Sequence, residues 1–273
     1  MSYVTLPDDR ESVSLKPPRF QTLRTIVALM LREMGSTYGN NPGGYVWALL
    51  QPMGMLFALS FGFALLMRSP SLGTNFMLFY ATGVLPFGVY GEIAKKTAGS
   101  LRYSRALLAY PRMTWLDAIL SRMLLAVLTQ VAVLCIVTFG IVQWYGLHPT
   151  VDVVPMVHSL LIASLLGLGV GLNNAVLYGL FPVWRTIWKI VSRPLFLGSA
   201  VIYIVEDLPG WVQEYMAWNP LAHVTGLGRE AFFSIYDPTY ISLHYCYGIA
   251  GVLILSGLLF MRAHHAAAAE DED

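Results

Sequence analysis

Hydrophobic residues gather in six long runs separated by polar connections: Trp47–Met67, Phe76–Ile93, Ile119–Val142, Val154–Leu180, Ile187–Val205 and Leu243–Met261. Each is close to the roughly 20 helical residues that cross a bilayer's hydrocarbon core. Lipid offers the backbone no hydrogen bonds, so each crossing must satisfy its own N–H and C=O groups, and the runs predict six transmembrane helices. A different pattern precedes them. Phe20, Leu23, Ile26, Val27, Met30, Leu31 and Met34 recur at helical spacing with Arg24 and Arg32 between them. That predicts an amphipathic interfacial helix over 20–36, too charged to span. Gly39, Pro42, Gly43 and Gly44 then break the helix before the first run.

The connections are unequal. After the second run, Thr97–Leu108 has few helix breakers and predicts one short helix along the membrane, ended near Pro111. The alternative is a solvated basic loop. Between the fifth and sixth runs, Glu206–Ser242 is acidic yet rich in aromatics, among them Trp211, Tyr215, Trp218, Phe232 and Tyr236. Its pattern predicts helices at about Pro209–Trp218 and Leu221–Phe233, turning at Asn219–Pro220. Such a pair fits either a re-entrant hairpin dipping into the outer leaflet or an external loop resting on headgroups. In the fourth run, Gly167 and Gly171 are spaced for close helix approach. Residues 1–18, rich in proline and charge, predict a disordered tail, and 263–273 a second tail. The fold class expected is an all-α membrane protein: six transmembrane helices, an N-terminal interfacial helix and a re-entrant helical hairpin before the last span.

Composition sharpens this. The chain is 56% hydrophobic and 12% charged, against about 25% charged in a soluble domain. Of its 16 carboxylates only Glu92 falls inside a run, and at its edge. Of the 17 lysines and arginines, 15 lie on one side of the six-span scheme, all but Arg68 and Arg229. The positive-inside bias places that side, with both termini, in the cytoplasm. The first 18 residues lack the apolar centre of a signal peptide. Cys135 and Cys246 lie in separate runs, without the clustering of a disulfide framework or a metal site. A net charge of +1 carries no nucleic-acid signature.

The same distribution excludes several chemistries. Carriers driven by protons or sodium keep ionisable groups at membrane depth, and no run holds one at its centre. The approximation to a phosphate-binding loop at Gly91–Thr97 lacks the second glycine before Lys96. No His-Glu-x-x-His motif occurs. A membrane-bound glycosyltransferase stays open, because the outer connection carries carboxylates and aromatics, but no paired-acid spacing marks a catalytic set. What remains is a translocation unit energised by another chain.

Ordered short motifs then point to a family. Leu31-Arg32-Glu33, Tyr38-Gly39, Gly44-Tyr45-x-Trp47-Ala48 and Pro52 lead into the first run; Asn219-Pro220-Leu221-x-His223 and Arg229-Glu230-Ala231 precede the last. From about Phe20 to Arg262 the chain resembles the permease subunits of ABC-type capsular polysaccharide exporters, of the ABC-2 superfamily. Gly35-Ser36-Thr37 departs from the basic residues often found there. The resemblance implies one permease domain over 19–262 in the bacterial inner membrane. It also implies a homodimer, two copies of a separate ATPase that holds ATP and magnesium, and periplasmic and outer-membrane export partners. No cofactor or catalytic residue is expected in this chain. The substrate implied is a lipid-linked polysaccharide; O antigen, teichoic acid or small molecules are alternatives on the same architecture. ATPase coupling maps to 96–108, on Lys96, Arg102 and Arg105, with Arg32 and Glu33. The outer gate maps to 206–233, on Glu206, Trp211, Trp218, Asn219, Pro220 and Arg229. A long polymer needs a lined path rather than a closed pocket, and aromatic rings stack on sugar faces. The residues assigned to that lining are Tyr45, Trp47, Phe57, Phe61, Trp184, Arg185, Lys189 and Tyr203.

Overall fold

A computed structural model describes residues 21–38, 44–105 and 113–269, apart from the side chains of residues 21, 36–38, 45 and 265–269. The expected tail at 1–18, the last four residues of the one expected at 263–273, the elbow residues 39–43 and the end of the coupling segment at 106–108 lie outside the described residues. Among the described residues the secondary structure is helical throughout. Helix α1 is Gln21–Tyr38, α2 Gly44–Leu66, α3 Phe76–Ala98, α4 Ser100–Tyr103, α5 Trp115–Tyr145 and α6 Val153–Leu180. Helix α7 is Trp184–Leu197; after a 3-10 turn at Val205–Asp207 come α8 Gly210–Ala217, α9 Pro220–Glu230 and α10 Leu243–Ala269.

Among the described residues five helices are long and apolar enough to cross a membrane: α2, α3, α5, α6 and α10. They coincide with five of the six hydrophobic runs. The remaining run, Ile187–Val205, takes another form. Helix α7 has 14 residues, carries Arg185, Lys189 and Arg193, contains Pro194 and stops at Gly198. Residues 198–204 continue as turns, with Ser199, Ala200 and Val201 fully buried.

Local sequence sets several boundaries. Thr114 and Asp117 form a reciprocal capping box at the start of α5, and Gly146 ends that helix at φ 60°, a left-handed conformation glycine adopts freely. Asn219 caps α9, and Pro220 occupies the first helical turn, where its missing N–H costs nothing. Gly99 separates α3 from α4, so the basic stretch after the second run bends there rather than forming one helix from Thr97.

Helices α3, α6 and α10 form the centre, with α6 between the other two and α5 against α3. Asn173 ties α6 to α10 by donating to the Leu253 carbonyl at 2.8 Å. Small residues make the approach possible. A Cβ on Gly171 would lie 2.5 Å from the Thr97 Cβ, and one on Gly257 would lie 2.5 Å from the Leu172 Cβ. The periphery is different. Leu56 alone among the described side chains of α2 is buried, and α7 buries none. Helix α1 buries Ile26, Leu29 and Glu33, while Leu23, Val27 and Leu31 form an exposed apolar stripe.

Because helix backbones meet at Gly171 and Gly257, Gly171→Val and Gly257→Val should each cost about 1–3 kcal/mol, the usual range for overpacking. A lowered thermal-unfolding midpoint in detergent is expected for both; an unchanged midpoint would contradict the packing described.

Candidate functional site

Two polar constellations stand out in this apolar chain, one at each end of the bundle. The first is built around the break after α7. Four successive carbonyls at 198–201 have no helical partner, and side chains next to or on α9 meet all of them. Asn219 Nδ2 donates to the Gly198 carbonyl at 2.6 Å. Thr225 Oγ1 donates to the Ser199 carbonyl at 2.7 Å. Arg229 donates through its two terminal nitrogens to the Ala200 and Val201 carbonyls, at 2.7 and 2.8 Å.

The sequence arranges this locally. Asn219, Thr225 and Arg229 lie within about two and a half turns of a short helix, the last two at i and i+4 on one face. Asn219 also accepts the Leu221 N–H through its amide oxygen, so one side chain starts α9 and holds Gly198. Arg229 is fully buried, with its guanidinium 4.7 Å from the Phe79 ring centroid. Its Nε has no partner among the described residues. Gly83 makes room on the far side, since a Cβ there would come within 2.6 Å of the Val201 oxygen. Ala200 turns the chain at φ 52°, a conformation that costs a non-glycine residue roughly 1–2 kcal/mol.

A buried histidine completes the collar. His223 Nε2 lies 2.8 Å from the Ala217 carbonyl, and Nδ1 accepts the Ser242 N–H at 3.2 Å. A carbonyl on one nitrogen and an N–H on the other fit the neutral tautomer protonated at Nε2. Burial lowers the His223 pKa below the ordinary value, opposed in part by the Ala217 carbonyl. Outside the collar, Tyr236 donates to Glu206 at 3.0 Å, and Ser71 to Asp207 at 2.5 Å.

The six residues assigned to an outer gate therefore divide. Asn219, Pro220 and Arg229 shape the collar. Glu206 holds Tyr236 while remaining exposed. Trp211 and Trp218 are exposed, at 68% and 73%, and Trp218 meets Tyr245 edge to face. Sequence reasoning missed Thr225, Gly83 and Phe79. Thr225 had a visible signal, one helical turn before Arg229; the other two belong to a distant helix.

The second constellation joins α1, α3, α4 and α5. Glu33 is 2% exposed and accepts from Lys96 at 3.2 Å and from Arg122 at 3.1 Å. Arg122 also donates to the Gly99 carbonyl at 2.8 Å, and its guanidinium lies 4.4 Å from the Tyr103 ring centroid. Of the residues assigned to coupling, Glu33 and Lys96 meet here; Arg32, Arg102 and Arg105 are exposed nearby in sequence. Arg122 and Tyr103 were missed. A cation opening the third run is a weak signal, since a basic residue at a membrane boundary needs no partner to explain it.

The residues assigned to a conduit are spread over α2, α7 and the turn segment after it. Trp47, Phe57 and Phe61 are more than 60% exposed on α2, and the two phenylalanines stack with centroids 6.2 Å apart. Trp184 donates to Asn174 at 2.9 Å, Arg185 lies 5.6 Å from the Tyr178 ring centroid, and Lys189 is exposed. Tyr203 donates to the Leu197 carbonyl at 2.7 Å, which ties the turn segment to the end of α7. The Tyr45 side chain lies outside the described residues.

Arg229→Leu should leave two buried carbonyls unpaired, at about 1–3 kcal/mol each, whereas Arg229→Lys keeps a donor and should lose less. Thermal unfolding of the purified protein checks the order; equal midpoints for both variants and the parent would contradict it. Glu33→Gln should leave two largely buried cations without a counter-charge, at about 3–5 kcal/mol. A midpoint that fails to drop would remove Glu33 as the tie between α1 and α5.

Comparison with known proteins follows the same layout. Residues 24–233 match the model of the ABC-2 type transporter family. The polysialic acid transport protein KpsM of Escherichia coli is 30% identical over 246 residues, covering 89% of this chain and 94% of the relative. The capsule polysaccharide export inner-membrane protein CtrC of Neisseria meningitidis serogroup B is 27% identical over 86% of this chain and 89% of its own length. BexB of Haemophilus influenzae, with the same description, is 25% identical over 88% and 90%. With one model spanning most of the bundle and a relative matched nearly end to end, the chain belongs to the ABC-2 type transporter family.

Proposed function

We propose that this chain is the membrane subunit of an ATP-driven exporter that moves lipid-linked capsular polysaccharide from the cytoplasm to the periplasm of a bacterium. The observation that carries the reading is the nearly full-length match to relatives named for transport of polysialic acid and export of capsule polysaccharide. The chain lies in the inner membrane with both termini in the cytoplasm, an orientation that the lysine and arginine distribution supports.

On this reading the chain crosses six times. Helix α7 covers about 21 Å at 1.5 Å per residue, short of the roughly 30 Å hydrocarbon core. The buried turns at 198–204 supply the rest. Irregular backbone is tolerated at that depth where protein satisfies it, which is what Asn219, Thr225 and Arg229 do. Helices α8 and α9 are then the re-entrant hairpin and the outer gate. Helix α1, with its apolar stripe of Leu23, Val27 and Leu31, lies in the inner interface.

Two copies form the conduit between them. The exposed aromatics of α2 and the unburied α7, with Arg185, Lys189 and Arg193 along one side, support that surface as the path. A separate ATPase, in two copies and carrying ATP and magnesium, docks on the cytoplasmic side at Arg32, Arg102 and Arg105. Its motion reaches the bundle through Glu33, Lys96 and Arg122. Periplasmic and outer-membrane proteins receive the polymer.

In cells, deletion of the gene should leave polysaccharide inside and none on the surface, and re-expression should restore it. Surface polymer that persists in the deletion strain would overturn the function. Arg102→Glu with Arg105→Glu should permit membrane insertion but lower ATP hydrolysis by the co-purified complex several-fold; unchanged turnover would remove that docking site.

A further inference from the structure

Between α2, α3 and α5 lies a cleft of about 530 Å³, within the range of roughly 300–1,000 Å³ common for small-ligand sites. Its floor is the ionic cluster of Glu33, Lys96 and Arg122, and its walls include Trp47 and Phe87, with Phe196 of α7. The other charged residues that line the cleft, Glu92 and Lys95, pair with each other at 3.7 Å. Gly88 stands eight residues from Lys96, and Gln130 eight from Arg122, each about 12 Å further along its helix. At that level Gln51 of α2 and Thr129 and Gln130 of α5 line the cleft. Opposite them, Gly88 and Gly91 leave space, since a Cβ on either would meet no atom within 4 Å.

The amides have no protein partner. Among the described residues, neither Gln51, Thr129 nor Gln130 makes a side-chain hydrogen bond, although neighbouring polar groups such as Arg122 and Thr138 do. Each stands on a segment long and apolar enough to span the membrane. An acyl chain cannot satisfy two amides and a hydroxyl, and leaving polar groups bare in hydrocarbon costs several kcal/mol each. Carboxamides donate and accept at once, as sugar hydroxyls do, while the rings of Trp47, Phe87 and Phe196 present apolar faces that sugar C–H faces can cover.

Resting on the export reading above, we propose that this cleft is a glycan subsite. Gln51, Thr129 and Gln130 hydrogen-bond sugar hydroxyls of the passing polymer on its way from the ionic floor to the outer collar. Recognition here is through hydroxyls and ring faces, because Glu33 is paired with both cations beneath and Glu92 with Lys95 beside them. The site is open on one side, so it holds a stretch of chain without enclosing it.

The test uses the full chain produced with its ATPase in a strain deleted for the gene. Gln51→Leu with Gln130→Leu keeps size and suits a bilayer; it should insert and bind the ATPase normally yet lower surface glycan at least about tenfold. Gly88→Leu, which fills the cleft instead of stripping its polar groups, should do the same. Export at the parental level by either inserted variant would overturn the subsite. A benzophenone amino acid in place of Gln130, irradiated in exporting cells, should yield a glycan adduct; an adduct to phospholipid alone would overturn it as well. Failure of the broader reading looks different, because there the deletion strain itself would keep its surface polymer.

Discussion

A buried backbone carbonyl must find a donor, and this constraint governs the end of the molecule around the break after α7. Four such carbonyls, from Gly198 to Val201, are exposed by the end of α7. All four are met from one short stretch, by Asn219, Thr225 and the two arms of Arg229. The fully buried arginine is tolerable because carbonyl oxygens and the Phe79 face surround its charge. Gly83 and Gly228 let α3 and α9 come close enough for that contact. Fold and site thus share one set of bonds: what closes the break after α7 also fixes the two short helices that follow it.

The opposite end follows a complementary logic. Glu33 draws Lys96 and Arg122 onto one carboxylate, and Arg122 continues to the Gly99 carbonyl and the Tyr103 ring. A partial burial that would be costly for any one of these charges becomes acceptable for the group, while removal of one strands the others. The consequence is mechanical. Helix α1, the joint after α3 and the start of α5 cannot shift independently without breaking ion pairs or the bond to the Gly99 carbonyl.

Much of this was legible from residue pattern, and the limits have physical causes. Long apolar runs predict α2, α3, α5, α6 and α10 because backbone satisfaction in lipid leaves few alternatives. Asn219-Pro220 marks the start of α9 because capping chemistry is local. The run at Ile187–Val205 misled for the same reason: its residues are apolar throughout the second half, and the side chains that permit a break at Gly198 lie 20 to 30 positions later. The resemblance assigns Glu33 to coupling, but nothing near it in sequence reveals its pairing with Lys96 and Arg122. The cleft was hidden in the same way, its amides being distributed over helices far apart in the chain.

On the proposed function this chain is a path without a motor, driven by a partner ATPase. Glycan movement across sealed vesicles tests that most directly. Vesicles holding the chain together with its ATPase should translocate lipid-linked polysaccharide only while ATP is hydrolysed, and vesicles holding the chain alone should move none. Sustained movement by the chain alone, without any nucleotide hydrolase, would contradict it.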